Sequence, residues 1–180
     1  MLSVSLFPIA EALGYAGMPF WGCRFEAFWR FHWLLTPDYR LLVFMVYLTR
    51  KAEFSASHYY HNPDFTPEEN VRIFGKCNNP HGHGHNYTLE VTVKGAVDPK
   101  SGFVVDLKQL KEVMNREVLD AMDHRFLNKE VPEFANRIPT TENIAIAIWH
   151  RLAPKLKTAQ LHRVRVYETP DLFVDFYGEA

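Results

Sequence analysis

From residue 45 onward the chain alternates. Val46, Leu48 and Arg50 fall on one face and Tyr47 and Thr49 on the other, and the pattern runs on through Phe54, Ala56 and His58. A period of two predicts one long strand, because successive strand side chains point to opposite faces. Leu89, Val91 and Val93 alternate with Thr88, Glu90, Thr92 and Lys94 and predict a second strand. Between them, residues 59–76 hold Pro63 and Pro67 and read as a loop. Within that loop, Thr66 as cap and Pro67 at the first helical position open a short helix.

Further on, Asp98-Pro99-Lys100-Ser101-Gly102 is a turn, and Phe103-Val104-Val105 is expected to form a short strand after it. Asp106 then caps a helix over 107–121, striped by Leu107, Leu110, Val113, Met114 and Val118. A loop with Pro132 and Pro139 follows, and Thr140-Thr141-Glu142-Asn143 starts a second helix striped by Ile144, Ala145, Ile148, Trp149 and Leu152. Two strands close the chain, over 160–168 and 172–177. The order strand, strand, helix, helix, strand, strand lacks the strand–helix alternation of a parallel α/β fold, so it predicts an α+β architecture on an antiparallel sheet. No glycine-rich phosphate or dinucleotide fingerprint interrupts it.

Residues 1–44 differ. They hold three of the four tryptophans and eleven of the twenty-six aromatics, but six of the forty-one charged residues, and no sustained period emerges. Two readings fit: an aromatic-rich extension packed on the domain or on a partner, or an upstream stretch that is an annotation artefact, with Met45 the natural start. The second is the expectation, which makes 45–180 the functional domain. Composition adds bounds. The 180 residues suit one domain with or without an extension. A formal net charge of −1 gives no reason to expect nucleic acid or an anionic membrane as partner. No apolar run approaches a membrane span, and two cysteines cannot build a disulfide framework, so a reducing, cytoplasmic compartment is expected.

Candidate chemistry concentrates in residues 75–87, where Cys77 precedes His81, His83 and His85. Histidines spaced by two share a face when the backbone is extended, and neutral imidazole is the commonest protein ligand for zinc. A further His from another strand would give three nitrogens and an open position, the arrangement of catalytic zinc. The alternative is a polar turn with surface histidines. His58 shares the apolar face of its strand and is either a hydrogen-bonded core residue or that third ligand. Asp123-His124 is either a capping pair or part of the site, and Glu168 either faces solvent or joins it. The set gathered on chemistry is His58, Cys77, His83, His85, Asp123, His124 and Glu168.

Six blocks in order carry a resemblance: Phe54-Ser55-Ala56-Ser57-His58, Phe74-Gly75-Lys76-Cys77-Asn78-Asn79-Pro80, Gly82-His83-Gly84-His85-Asn86-Tyr87, Asp123-His124, Thr140-Thr141-Glu142-Asn143 and Val166-Tyr167-Glu168-Thr169. From about Met45 to the end, the chain resembles the 6-pyruvoyltetrahydropterin synthase family. The resemblance implies a tunnelling fold, a four-stranded antiparallel sheet with two helices per subunit, closed into a barrel by three subunits and stacked into a homohexamer. It implies zinc on His58, His83 and His85. It makes Cys77 the catalytic thiolate, completed by Asp123 and His124 of a neighbouring subunit. Glu168 would anchor the pterin, helped by Thr140, Thr141 and Glu142. The implied substrate is 7,8-dihydroneopterin triphosphate.

The family's two branches space the site differently. Five residues between Cys and His-x-His is the animal-type pattern and selects His83 and His85, whereas three is the bacterial 6-carboxytetrahydropterin synthase pattern and selects His81 and His83. The chain satisfies both counts. Because His85-Asn86-Tyr87 leads directly into the Leu89, Val91, Val93 alternation, the first register is expected, leaving His81 as an extra residue. The expected product is then 6-pyruvoyltetrahydropterin, with the 6-carboxy compound of queuosine biosynthesis as the alternative. A non-catalytic zinc-binding homologue is the rival from another class. A zinc hydrolase is weaker still, since the His-Glu-x-x-His helix is missing.

Overall fold

The computed structural model describes residues 45–178, so the expected extension at 1–44 lies outside the described residues. In chain order the elements are β1 (Met45–His58), α1 (Pro67–Phe74), β2 (His83–Ala96) and α2 (Leu107–Met114), which runs through a π turn (Asn115–Leu119) into α3 (Asp120–Met122). Then come β3 (Arg125–Phe126), α4 (Leu127–Glu130), α5 (Thr141–Leu152), β4 (Gln160–Thr169) and β5 (Leu172–Phe176). The strands form one sheet in the order β3-β1-β2-β4-β5. Among the described residues, no helix is long and apolar enough to cross a membrane.

The α+β class holds, but the expectation of four antiparallel strands and two helices does not. The sheet has five strands and is mixed, because β3 pairs parallel to β1, with Ala56 opposite Arg125 and Ser57 opposite Phe126. Backbone hydrogen bonding explains the addition. β1 is otherwise an edge, and its Ser55 N–H and C=O face outward. The Asp123 carboxylate accepts from Ser55 N at 2.8 Å, and His124 N donates to Ser55 O at 2.6 Å, which lays the next two residues alongside the strand. The expected strand at Phe103-Val104-Val105 does not form. Asp98 N bonds Phe103 O, closing the turn, and the remaining residues run straight into the Asp106 cap, whose side chain accepts from Lys108 N and Gln109 N.

The period-two readings of β1 and β2 are met over long stretches. These two strands pair antiparallel from Met45 opposite Ala96 to His58 opposite His83. Tyr87, Leu89, Val91 and Val93 are buried on one face, with Phe54 and Ala56 beside them and Val164 and Val166 from β4. Leu110, Val113, Met114 and Val118 from the first helical stretch, and Ile144, Ile148 and Leu152 from α5, cover that face. Burying each such side chain contributes about 1.5–3 kcal/mol. The π turn is also tied to α5. Arg151 on α5 donates to the Glu117 carbonyl at 3.0 Å while gripping Glu133 at 2.6 and 2.7 Å.

The loop between β1 and β2 is built around Asn70, which is fully buried. Its Oδ1 accepts from Asn62 N at 2.8 Å, and its amide donates to the carbonyls of Asn62, Phe65 and Thr66. Thr66 closes a capping box with Glu69 at the start of α1. Removing the carboxamide strands several backbone groups. Asn70→Ala is expected to destabilise this loop by about 1–3 kcal/mol, seen as faster amide exchange across 60–75 with the β2 and β4 amides unchanged. Unaltered protection in the loop would show that Asn70 does not hold it.

Candidate metal centre and active site

The β1–β2 register decides the site. With His58 opposite His83, the period of two carries His83, His85 and Tyr87 onto the face that His58 occupies. Gly82 makes the approach possible. Its φ is +74°, and a Cβ there would lie 3.2 Å from the His58 carbonyl oxygen. His81 is exposed, with its backbone N–H on Asn79 Oδ1. The three rings meet edge to face, His58 at 4.6 Å from His83 and 5.1 Å from His85.

His58 is fully buried, and its Nδ1 lies 3.0 Å from the Pro139 carbonyl oxygen. A carbonyl can only accept, so Nδ1 carries the proton and Nε2 keeps its lone pair. The Tyr87 hydroxyl is 3.1 Å from the same Nδ1. Burial holds the His58 imidazole down at about 4, so the ring is neutral through the physiological range. Burial lowers His85 as well, against the opposing pull of Glu168. His58 Nε2 faces His83 Nε2 across 3.2 Å, and the buried His83 Nδ1 and His85 Nε2 have no hydrogen-bond partner. Converging imidazole nitrogens, some of them without a hydrogen-bond partner, suit a metal site.

Glu168 completes the cluster. It lies on the core side of β4, at the irregularity where Tyr167 pairs with Phe173 and Thr169 with Leu172. A bulge re-aims a side chain at a strand end. Here Glu168 Oε2 accepts from the Thr141 hydroxyl, and Oε1 stands 3.2 Å from His85 Nε2. One donor atom from each of His58, His83, His85 and Glu168 lies within 4.8 Å of the others. The donor set is thus three imidazoles and a carboxylate, which suits a zinc-class ion.

Cys77 sits at the end of a tight turn (Gly75–Cys77), half-buried and free of any disulfide. Tyr60 N donates to the Cys77 carbonyl at 2.9 Å, and Asn78 Nδ2 returns to the Tyr60 carbonyl at 2.6 Å, which ties this turn to the residues just after His58. Burial, then the Glu168 charge, pushes the thiol up. Thr140 caps α5, Thr141 is buried against Glu168, and Glu142 is exposed on the first turn.

Asp123 and His124 stand apart from this cluster at the β3 edge. His124 Nδ1 is 3.0 Å from Asp123 Oδ2, its side chain is 83% exposed, and its φ is +57°, in the left-handed region. The Ser55 N–H, followed by His124, holds the Asp123 carboxyl below its ordinary range. Three supporting groups carried no sequence signal of their own role: the Pro139 carbonyl, the Tyr60 backbone and the Asn128 amide, which brackets Tyr59 N and O at 2.8 Å each. Tyr87 could have been found, because it shares the phase of His83 and His85.

Comparison with known proteins fits this geometry. Residues 47–179 match the family model described as 6-pyruvoyl tetrahydropterin synthase. The chain is 45% identical over 132 residues to the human 6-pyruvoyl tetrahydrobiopterin synthase, covering 73% of this chain and 91% of that protein. The solved structure of the Caenorhabditis elegans 6-pyruvoyl tetrahydropterin synthase superposes with a TM-score of 0.73 at 40% identity, covering 76% of this chain and 98% of that one. The 6-carboxy-5,6,7,8-tetrahydropterin synthase of Rickettsia bellii is similar at 29% identity over 150 residues, 73% of this chain and 99% of that protein.

The register yields a direct test. Alanine at His58, His83 or His85 is expected to leave bound zinc well below stoichiometric, measured by elemental analysis of the purified protein. His81→Ala is expected to keep it. Loss of zinc in the His81 variant with retention in the His85 variant would put the ligand pair two residues earlier.

Proposed function

The chain belongs to the 6-pyruvoyl tetrahydropterin synthase family and is a triphosphate-eliminating pterin synthase, and on that premise we propose how its residues divide the work. The substrate is 7,8-dihydroneopterin triphosphate and the product 6-pyruvoyltetrahydropterin. The observation that carries the product is the identity of 45% to a protein named for the pyruvoyl compound, against 29% to one named for the carboxy compound. The domain responsible is taken as residues 45–180, a reading supported by a family match that begins at residue 47.

His58, His83 and His85 would hold the zinc ion, which, when bound, makes hydroxyls of the substrate side chain more acidic and eases loss of the neighbouring C–H proton. Pro139 fixes the tautomer of His58, so that Nε2 points inward. Glu168 takes the pterin amino group and ring N–H on its two oxygens, a pairing of the kind a carboxylate makes with arginine. Thr141 orients that carboxylate, while Thr140 and Glu142 line the approach at the start of α5. The pterin ring accepts the hydrogens that its own side chain loses, so no nicotinamide takes part.

Cys77 is the base that removes the side-chain proton. Burial and Glu168 disfavour its thiolate, so it needs positive charge beside it. Asp123 holds His124 by Nδ1, which frees Nε2 to carry protons. In one protomer that imidazole faces solvent, so it serves the site of a second copy. This is the reason to expect the homohexamer of stacked trimers and its intersubunit barrel. A thiol base must also stay reduced, in keeping with a cytoplasmic enzyme.

Replacing Cys77 with Ala is expected to lower turnover by about 10²–10⁴-fold while zinc stays bound. Loss of the metal in that variant would make Cys77 a ligand. Mass spectrometry of the pterin made by the zinc-loaded protein checks the product. Carboxypterin with acetaldehyde as the main outcome would assign the other branch.

A further inference from the structure

We propose that Tyr60 is a positioning residue for the pterin synthase reaction, setting the span between the thiol base and the pterin anchor. Its backbone holds the turn that carries Cys77, and its phenol braces Thr141 behind Glu168. The inference rests on the reading above of Cys77 as base and Glu168 as anchor. It adds a side chain to which that reading gives no part.

Backbone and ring alike hold Tyr60 in place. The Asn128 amide brackets the peptide groups of Tyr59 just before it, at 2.8 Å each. Tyr60 N donates to the Cys77 carbonyl at 2.9 Å, and Asn78 Nδ2 donates to the Tyr60 carbonyl at 2.6 Å. Both of its own backbone groups are thus spent on the thiol's turn. The ring adds to this. It meets the His58 imidazole edge to face at 4.8 Å, and Phe74, which directly precedes the Gly75–Cys77 turn, lies at 5.9 Å. A phenol ring set between two other rings carries its polar tip to a defined place.

The hydroxyl reaches the other half of the site. It pairs with the Thr141 hydroxyl, and Glu168, Cys77 and Glu142 are the ionisable groups around it. A threonine hydroxyl has one hydrogen to give and two lone pairs on which to accept. Thr141 gives that hydrogen to Glu168 Oε2, so toward Tyr60 it can only accept. The order is therefore Tyr60 to Thr141 to Glu168, a run of donors pointing one way and ending on the carboxylate. Each bond in such a run polarises the next.

Two groups distant in the chain have to act on one small molecule. Glu168 fixes the pterin ring, and Cys77 must reach a C–H bond on the side chain that leaves that ring. A misplacement of about 1 Å between such groups can cost about 100-fold in rate. Tyr60 joins them, through its peptide groups to the Cys77 turn and through Thr141 to the carboxylate.

Tyr60→Phe keeps the ring against His58 and Phe74 and both backbone bonds, and removes the hydroxyl alone. It is expected to keep zinc at the parent level and to weaken binding of unsubstituted pterin about 5- to 10-fold, the usual effect of one lost hydrogen bond. The value of kcat/KM for 7,8-dihydroneopterin triphosphate is expected to fall by about 10-fold or more. In a Thr141→Val protein the same change is expected to have less than about a 2-fold effect, because the two hydroxyls act as one unit. Packing alone predicts neither the pterin effect nor its dependence on Thr141. A Tyr60→Phe enzyme with parent pterin affinity and parent kcat/KM overturns the proposal. So does an effect that persists in full beside Thr141→Val, since the phenol would then act on the substrate itself. Failure of the underlying reading looks different: Cys77→Ala would retain turnover, or Glu168→Gln would bind pterin as the parent does, and either result sinks both.

Discussion

The pairing of β1 with β2 is the constraint on which the site depends. Antiparallel register with His58 opposite His83 turns a sequence period of two into three convergent imidazoles. A slip of one residue would send His83 and His85 to the other face of the sheet and bring Gly82, Gly84 and Asn86 inward. The register is held by the same strands' apolar work. Leu89, Val91 and Val93 are each fully buried, and a slip would expose all three. Core packing and the histidine cluster therefore depend on one variable together, with the hydrophobic part of β2 setting the phase of its histidine-bearing end.

Keeping polar rings in that position is costly unless their nitrogens are assigned. Burial of an unpaired polar group costs about 1–3 kcal/mol in proteins, and the His58 ring has none of its surface exposed. Its Nδ1 is met by the Pro139 carbonyl. The nitrogens left without partners, His83 Nδ1 and His85 Nε2, belong to the cluster and not to the core around it. An unpartnered ring nitrogen such as His85 Nε2 is thus left in the cluster that could hold a metal ion. The loop from 59 to 77 follows the same logic. Asn70 closes its interior bonds, and the Tyr60–Cys77 and Asn78–Tyr60 bonds deliver the thiol's turn to the residues after His58.

Much of this was legible in the sequence because alternation and local capping are short-range signals. The β1 and β2 phases, the Asp106 and Thr140 caps and the apolar stripes of the two longer helices all follow from neighbours within a few residues. What was missed depends on partners distant in the chain. Asn128 brackets Tyr59 across a separation of 69 residues, and His58 meets Pro139 across 81. The β3 pairing arises because Ser55 presents an open edge, which two residues such as Arg125 and Phe126 cannot announce. Glu90 and Thr92 alternate with the apolar positions of β2, yet both are buried too. Lys51 and Arg163 reach over Glu90 from the flanking strands, and Thr49 pairs with Thr92 at 2.8 Å. A central strand with long polar neighbours is covered on both faces, which alternation alone does not reveal.

The separation of Asp123 and His124 from the imidazole cluster bears on how the chemistry is divided. The pair is not loosely placed: Ser55 holds both residues through the edge of β1, and His124 keeps a left-handed φ of +57° that a non-glycine residue adopts at some cost. A costly backbone conformation fixed at a sheet edge, with the ring turned outward and its Nδ1 engaged by a carboxylate, is ordered without serving its own protomer's core. The same bonds to Ser55 that add β3 to the sheet also set where that ring stands relative to the edge. The edge therefore does two jobs with one set of hydrogen bonds, adding β3 to the sheet and holding the His124 ring outward. Because β1 also carries His58, three residues beyond Ser55, one strand links the position of the histidine cluster to the position of the outward imidazole. A shift of β1 along β2 would move both, so the place of the outward imidazole relative to the histidine cluster is set by the same register that aligns the three histidines.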